Sequence, residues 1–484
     1  MSTAYILVMV ISGVTLLLFL VLKLKISAFI SLLITSMFVG VMAGMPLQGI
    51  LHSIQEGMGG TLGFVAIVVG LGAIFGQILE ASGGAESLAH HLVRTFGKDK
   101  ASWAMVVTGF IVAIPVFFDV GLIILIPIIY ALSRDTKRSL LYYGIPLLAG
   151  LAVTHSFIPP TPGPVAVANI LGAQLGWVIL FGFILGIPTV IIAGPLFGKY
   201  ISRKIHIDPP SGQPADAGNG NGAQNNITFS ASGDASSDAP ATPASGSMPA
   251  GSAQNGSLPS FRSIALIIAA PLFLILLNTF TGVAVEKGLL SRSLATEVAM
   301  FAGHPFTALI IAALLAVYFL GIRRGKSRQE LLDLSTKALG PAGIIILVTG
   351  AGGVLKQILV DSGIGEMMAR SIADSAMPPI FLAWLLAAIV RVTQGSATVA
   401  MITAAGIMAP VLGVFDLSAP HTALVVIAIA SGATILSHVN DSGFWLVSKY
   451  FGMDEKQTLK SWTVMETIIA LCGLAFAMLA SLIV

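Results

Sequence analysis

Four short clusters of small, polar and ionisable residues interrupt otherwise apolar stretches of this chain. Thr154-His155-Ser156-Phe157-Ile158-Pro159-Pro160-Thr161-Pro162-Gly163-Pro164 closes an apolar run that begins at Leu140. Ser437-His438-Val439-Asn440-Asp441-Ser442-Gly443 closes another. Ile114-Pro115-Val116-Phe117-Phe118-Asp119-Val120-Gly121 and Gln394-Gly395-Ser396-Ala397-Thr398 each fall in the middle of a long one. Thr154, Ser156, Thr161, Ser396, Thr398, Asn440 and Ser442 supply hydroxyl and amide groups suited to a polyhydroxylated ligand. Gly121, Gly163, Gly395 and Gly443 let backbone come close to such a ligand. Asp119, His155, His438 and Asp441 are ionisable groups in apolar surroundings. Each costs at least about 2.5–3.5 kcal/mol in a bilayer centre unless paired or hydrated. The chemistry implied is the holding of a small hydroxy-acid anion and the exchange of a proton, with no bond made or broken. A plainer use of small residues is close helix packing in a bilayer. A lone buried histidine, likewise, usually satisfies a core contact. Four clusters at repeat-related places favour a site.

The elements around the clusters belong to a membrane. Of 484 residues, 56% are hydrophobic and 10% charged, with mean hydropathy +0.93. Soluble domains carry about 25% charged residues, so the composition implies an all-α polytopic membrane protein. Ten apolar runs have membrane length. Two more, 101–132 and 379–413, would reach about 48 and 52 Å as single helices against a core of about 30 Å. Interrupted midway, each reads as a re-entrant hairpin with its tip near the midplane. Prolines in a buried helix free backbone groups that need partners. Such breaks survive only inside protein or beside a wet cavity, as in the broken helices of transporters.

Charge placement supports ten crossings plus two hairpins. With both termini periplasmic, most of the 25 Lys and Arg fall on the cytoplasmic side. The exceptions are Lys287, Arg292 and Arg370 outside, and Lys356 and Arg391 within apolar runs. Arg391, three residues before the second hairpin tip, could face a substrate carboxylate or could cap and snorkel. A repeat runs at one constant offset along the chain. It pairs Gly70-Leu71-Gly72 with Gly350-Ala351-Gly352, Gln77-Ile78-Leu79 with Gln357-Ile358-Leu359, and Glu86 with Glu366. The same offset pairs Thr154, Gly163 and Gly172 with Thr434, Gly443 and Gly452. Five crossings and one hairpin per half make the halves oppositely oriented. The expected organisation is an N-terminal transmembrane repeat, 1–207, a disordered cytoplasmic linker, 208–259, and a C-terminal transmembrane repeat, 260–484. The linker is rich in Gly, Ser, Ala, Pro and Asn and buries too little apolar surface to fold.

No HExxH, nucleophile elbow or P-loop occurs, so neither an enzyme nor a nucleotide-driven pump is expected. Net charge is +3 and the chain holds a single cysteine, Cys472. That leaves no cysteine metal site, and no cofactor, metal or nucleic-acid partner is expected. The partners are a small organic acid, protons and the lipid bilayer. An uncoupled facilitator or channel for small organic anions is the alternative.

The chain resembles the gluconate permease family, proton-coupled sugar-acid carriers within the ion transporter superfamily. The resemblance rests on Gly59-Gly60-Thr61-Leu62-Gly63, Ser82-Gly83-Gly84-Ala85, the 154–164 segment, Gln357-Ile358-Leu359-Val360-Asp361-Ser362-Gly363, Gly395-Ser396-Ala397-Thr398-Val399-Ala400 and Ser437-His438-Val439-Asn440-Asp441-Ser442-Gly443-Phe444-Trp445. It implies symport of gluconate or a related acid with protons across the bacterial inner membrane, and, by superfamily analogy, a homodimer. Thr161 stands where gluconate carriers tend to have His, Asp119 where they have Glu, and Ser442 where they have Pro. The family also includes carriers of other hydroxy acids and of D-serine.

Overall fold

Apolar runs and proline breaks set the architecture. The computed structural model describes residues 3–97, 100–209, 258–364, 377–413, 415 and 417–484. All but the ends of the expected 208–259 linker lies outside these residues, as do Glu366 and Arg370. Every regular element among the described residues is a helix. Seven helices are long and apolar enough to cross a bilayer.

In chain order the helices are α1 (Thr3–Leu18), α2 (Ala28–Met42), α3 (Leu47–Ala81), α4 (Gly84–Phe96), α5 (Ala101–Val112), α6 (Phe118–Thr136), α7 (Leu141–Phe157), α8 (Pro162–Leu171) and α9 (Leu175–Lys204). They continue with α10 (Phe261–Glu286), α11 (Leu294–Gly303), α12 (Pro305–Arg324), α13 (Arg328–Asp361), α14 (Pro379–Gln394), α15 (Ala397–Leu412), α16 (Ala419–Gly432), α17 (Ser442–Phe451) and α18 (Glu455–Ala480). One of the ten apolar runs, 62–79, is only the second half of α3. The first half carries His52, Gln55 and Glu56, helix-compatible residues that an apolar window passes over. At 35 residues α3 is about 52 Å long. It packs against the 34-residue α13, where Gly57 and Gly353 bring the two backbones together. A Cβ on Gly57 would lie 2.6 Å from the Gly353 carbonyl oxygen.

All four expected interruptions are present. The chain leaves helical geometry between α5 and α6, α7 and α8, α14 and α15, and α16 and α17. Proline explains the first two: Pro115 lies in the first gap, and Pro159, Pro160 and N1 residue Pro162 enforce the second. Gly395 makes the third, with φ +84° and a backbone pressed against Asn440. The offset seen in the sequence also holds for element bounds. The shift that takes Pro162 to Ser442 takes Leu171 to Phe451, so α8 maps onto α17 at both ends. It also takes Ala81, the end of α3, to Asp361, the end of α13. Residues up to 209 and from 258 onward form one compact unit.

Candidate functional site

Three of these interruptions open onto one cavity of about 370 Å³. The start of α6 brings Asp119, the second half of α7 brings His155 and Ser156, and the α14–α15 link brings Gly395, Ser396 and Thr398. The α16–α17 link adds Asn440 and Asp441, and Ser442 begins α17. The N-termini of α6, α15 and α17 therefore converge. Each carries the partial positive charge of a helix start, which favours an anion, although Ser396 and Asp441 already accept one N–H each from α15 and α17. Asp119, Asn440 and Ser442 are exposed, while Ser156 is buried.

Five further expected residues lie elsewhere, each held by local packing. Gly121 abuts Leu151, and Gly163 abuts the Met401 sulfur. Thr161 is buried, its Oγ1 donating to the Ile158 carbonyl at 2.6 Å. Thr154 is fully buried, with Oγ1 unpartnered among the described residues. His438 Nε2 meets the Val392 carbonyl at 3.0 Å, outside the cavity wall. Beyond His155 and Ser156 the break is packed shut, every residue from Phe157 to Ala168 being buried.

The floor of the cavity holds Arg391, which on the sequence alone could face a substrate carboxylate, together with Glu466 and Trp462, to which the sequence reading gave no role. Arg391 and Glu466, each only 3% exposed, line it together with Gln394, Thr434 and Trp462. Arg391 Nη2 donates to Asp441 Oδ2 at 2.5 Å. Ser437 Oγ donates to the same oxygen at 2.5 Å and accepts from Trp462 Nε1 at 2.7 Å. Asp441 Oδ1 caps α17 by accepting from Gly443 N at 3.1 Å. Accepting three hydrogen bonds and donating none, Asp441 is bonded as an ionised carboxylate. Glu466 lies within electrostatic reach of both Arg391 and Asp441, and Asp119 within reach of Asp441. Arg391 Nε and Nη1, His155 Nδ1 and both amide atoms of Gln394 are buried without hydrogen-bond partners among the described residues. Such groups are costly empty, and a polar ligand would satisfy them. Glu466 had a legible signal: it is the one carboxylate inside the last apolar run, 463–483.

Helices broken at paired positions around an accessible polar cavity define a polytopic membrane transporter. The chain matches the profile of the GntP family permeases over residues 5–230 and 235–483. It belongs to that family. It is 41% identical to a gluconate permease of Bacillus subtilis, covering 99% of this chain and 100% of the relative. It is 40% identical to a gluconate permease of Pseudomonas aeruginosa, at 96% and 95% coverage. With the Escherichia coli Gnt-II system L-idonate transporter it shares 37% identity, at 97% coverage of both. Among solved structures, the YdaH transporter of Alcanivorax borkumensis superposes with a TM-score of 0.62 at 12% identity, covering 93% of this chain and 96% of that one. This last likeness concerns the fold alone.

Proposed function

We propose that the protein imports gluconate or a closely related hydroxylated monocarboxylate by proton symport across the bacterial inner membrane. The observation that carries this reading is the cavity floor, where a buried, partly unpartnered Arg391 faces three helix N-termini and a set of hydroxyl and amide groups. Arginine is suited to bidentate recognition of a carboxylate. Gln394, Ser396, Thr398, Asn440 and Ser442 would serve the hydroxyl groups of a sugar acid. The volume falls within the roughly 300–1,000 Å³ usual for small-molecule sites. Relatives named for gluconate and L-idonate support that substrate class.

Charge supports the coupling. Asp119, Asp441 and Glu466 outnumber Arg391, so an incoming anion meets excess negative charge when all three are ionised. A like charge about 6 Å away costs about 3 kcal/mol at an effective dielectric constant of 20. A proton carried in with each anion removes that cost, and Asp119, Asp441 and His155 are the groups to receive it.

The architecture that goes with this function is two inverted repeats, each of five crossings and one re-entrant hairpin. The hairpins are α5–α6 and α14–α15, the repeats span 1–207 and 260–484, and both termini are periplasmic. Helix bounds that recur at the offset of the sequence repeat support it, and alternating access would move one set of elements against the other. Cysteine accessibility on a Cys472→Ala background, scanned from both faces of oriented vesicles, tests the orientation.

Function is tested with purified protein in proteoliposomes under an inside-alkaline pH gradient. Labelled gluconate should accumulate above its external concentration, and a protonophore should abolish the accumulation. Equilibration without accumulation would establish a facilitator instead. Competition by L-idonate and by D-serine ranks the substrates.

A further inference from the structure

The Arg391–Asp441 pair raises a question of geometry. A guanidinium offers a carboxylate two bidentate edges, Nε with Nη2 and Nη1 with Nη2, and Nη2 belongs to both. Asp441 occupies Nη2 alone, leaving Nε and Nη1 buried and unpartnered. Nη2 carries a second N–H, so an arriving carboxylate has donors to dock on; what it lacks while Asp441 stays ionised is the charge of Arg391, which Asp441 already balances. We propose that Asp441 is an internal stand-in for the substrate carboxylate, and that its protonation releases Arg391 to the substrate. The inference rests on the monocarboxylate reading above and identifies which of the cavity acids links proton to anion.

The surroundings fit an exchange of this kind. Arg391 on α14, Glu466 on α18 and Asp119 on α6 are the charged groups facing Asp441, and His155 on α7 lines the same cavity. Ser437 and Gly443 hold the ionised carboxylate by donating to it. A proton on Asp441 cancels its attraction for Nη2 and removes the negative charge beside the arriving anion. The neutral acid can still cap α17 through its other oxygen. Arg391 then pairs with the substrate, so the charge held at the floor is the same before and after exchange. One proton enters with one anion.

The sign follows from linkage. Substrate binding takes up a proton whenever Asp441 is ionised in the free protein, so affinity falls as pH rises, by about tenfold per pH unit. Asp441→Asn should behave as the permanently protonated form, because asparagine keeps an oxygen for the N-cap and, like the neutral acid, has no charge to hold Arg391. Its gluconate affinity should not vary with pH. It should still exchange labelled for unlabelled gluconate across the membrane but lose accumulation driven by a pH gradient. Ser437→Ala removes a neighbouring hydroxyl but no ionisable group and should keep the tenfold-per-unit slope.

Calorimetric titration of gluconate into purified full-length protein at several pH values reads all three. A pH-independent wild-type affinity overturns the proposal whether or not either variant folds. A tenfold-per-unit slope retained in Asp441→Asn overturns it too, as does loss of the slope in Glu466→Gln alone, which would move the proton to Glu466. The functional reading fails separately: wild-type proteoliposomes that take up none of labelled gluconate, L-idonate or D-serine would remove it, and this inference with it.

Discussion

The breaks before α8 and α17 occupy corresponding places in the two halves and have come to opposite uses. Under the repeat, the N-cap of α8, Thr161, corresponds to the N-cap of α17, Asp441. Thr161 is neutral and buried and turns its hydroxyl back onto its own chain. Asp441 is charged and reaches Arg391 on another helix. The positions corresponding to Arg391, Trp462 and Glu466 are Ile111, Gly182 and Gly186. None of the three can carry charge. One half uses its break for close packing and the other for a buried polar network, so the repeat supplies the architecture and divergence supplies the chemistry.

Substitutions at the two breaks can test that contrast. The largest effect should come from Arg391→Gln, which leaves Asp441 and Glu466 without their cation and the substrate without its anchor. Truncating one partner of a buried charge pair in a binding site costs about 2–5 kcal/mol, roughly 30- to 4,000-fold in gluconate affinity, to be read by calorimetry. Next comes Asp119→Asn, which removes the carboxylate beside Asp441 and should slow gradient-driven uptake while the protein remains in the membrane and the pH dependence of gluconate affinity is kept. Wild-type-like uptake in that variant would remove Asp119 from the transport machinery.

In the first half the expected losses are of stability. At the α5–α7 crossing, a Cβ on Gly150 would lie 2.7 Å from the Phe110 amide nitrogen. Gly150→Val should cost about 1–3 kcal/mol by overpacking, seen as a lower melting temperature, with KM unchanged in the protein that survives. Thr161→Ala is the smallest. It removes one neutral hydrogen bond worth about 1 kcal/mol and should leave uptake within about twofold of wild type. An uptake defect at Thr161 as deep as that of Arg391→Gln would mean that the two breaks work alike.

Much of this layout was legible before any coordinates. Pro115, the 159–164 prolines and Gly395 announce interruptions because their backbone chemistry forbids or bends a helix wherever they stand. Ten of the fifteen candidate residues line the cavity. Gly121, Thr154, Thr161, Gly163 and His438 do not, because a residue beside a break can face either the ligand space or a neighbouring helix, and spacing along the chain does not say which. Arg391 and Glu466, distant in sequence, were visible singly as ionisable groups in apolar runs, but their nearness to one another was not.

The sequence by itself determined a helical membrane chain, its two related halves, its four interruptions and its family, since hydropathy, proline and glycine act locally and repeat in register. The tertiary structure alone decided which interruption faces a cavity and which is packed shut. It also decided that the arginine before one break meets the aspartate of another. Those outcomes depend on how helices distant in sequence cross, and the low-dielectric interior makes each such meeting between charges decisive.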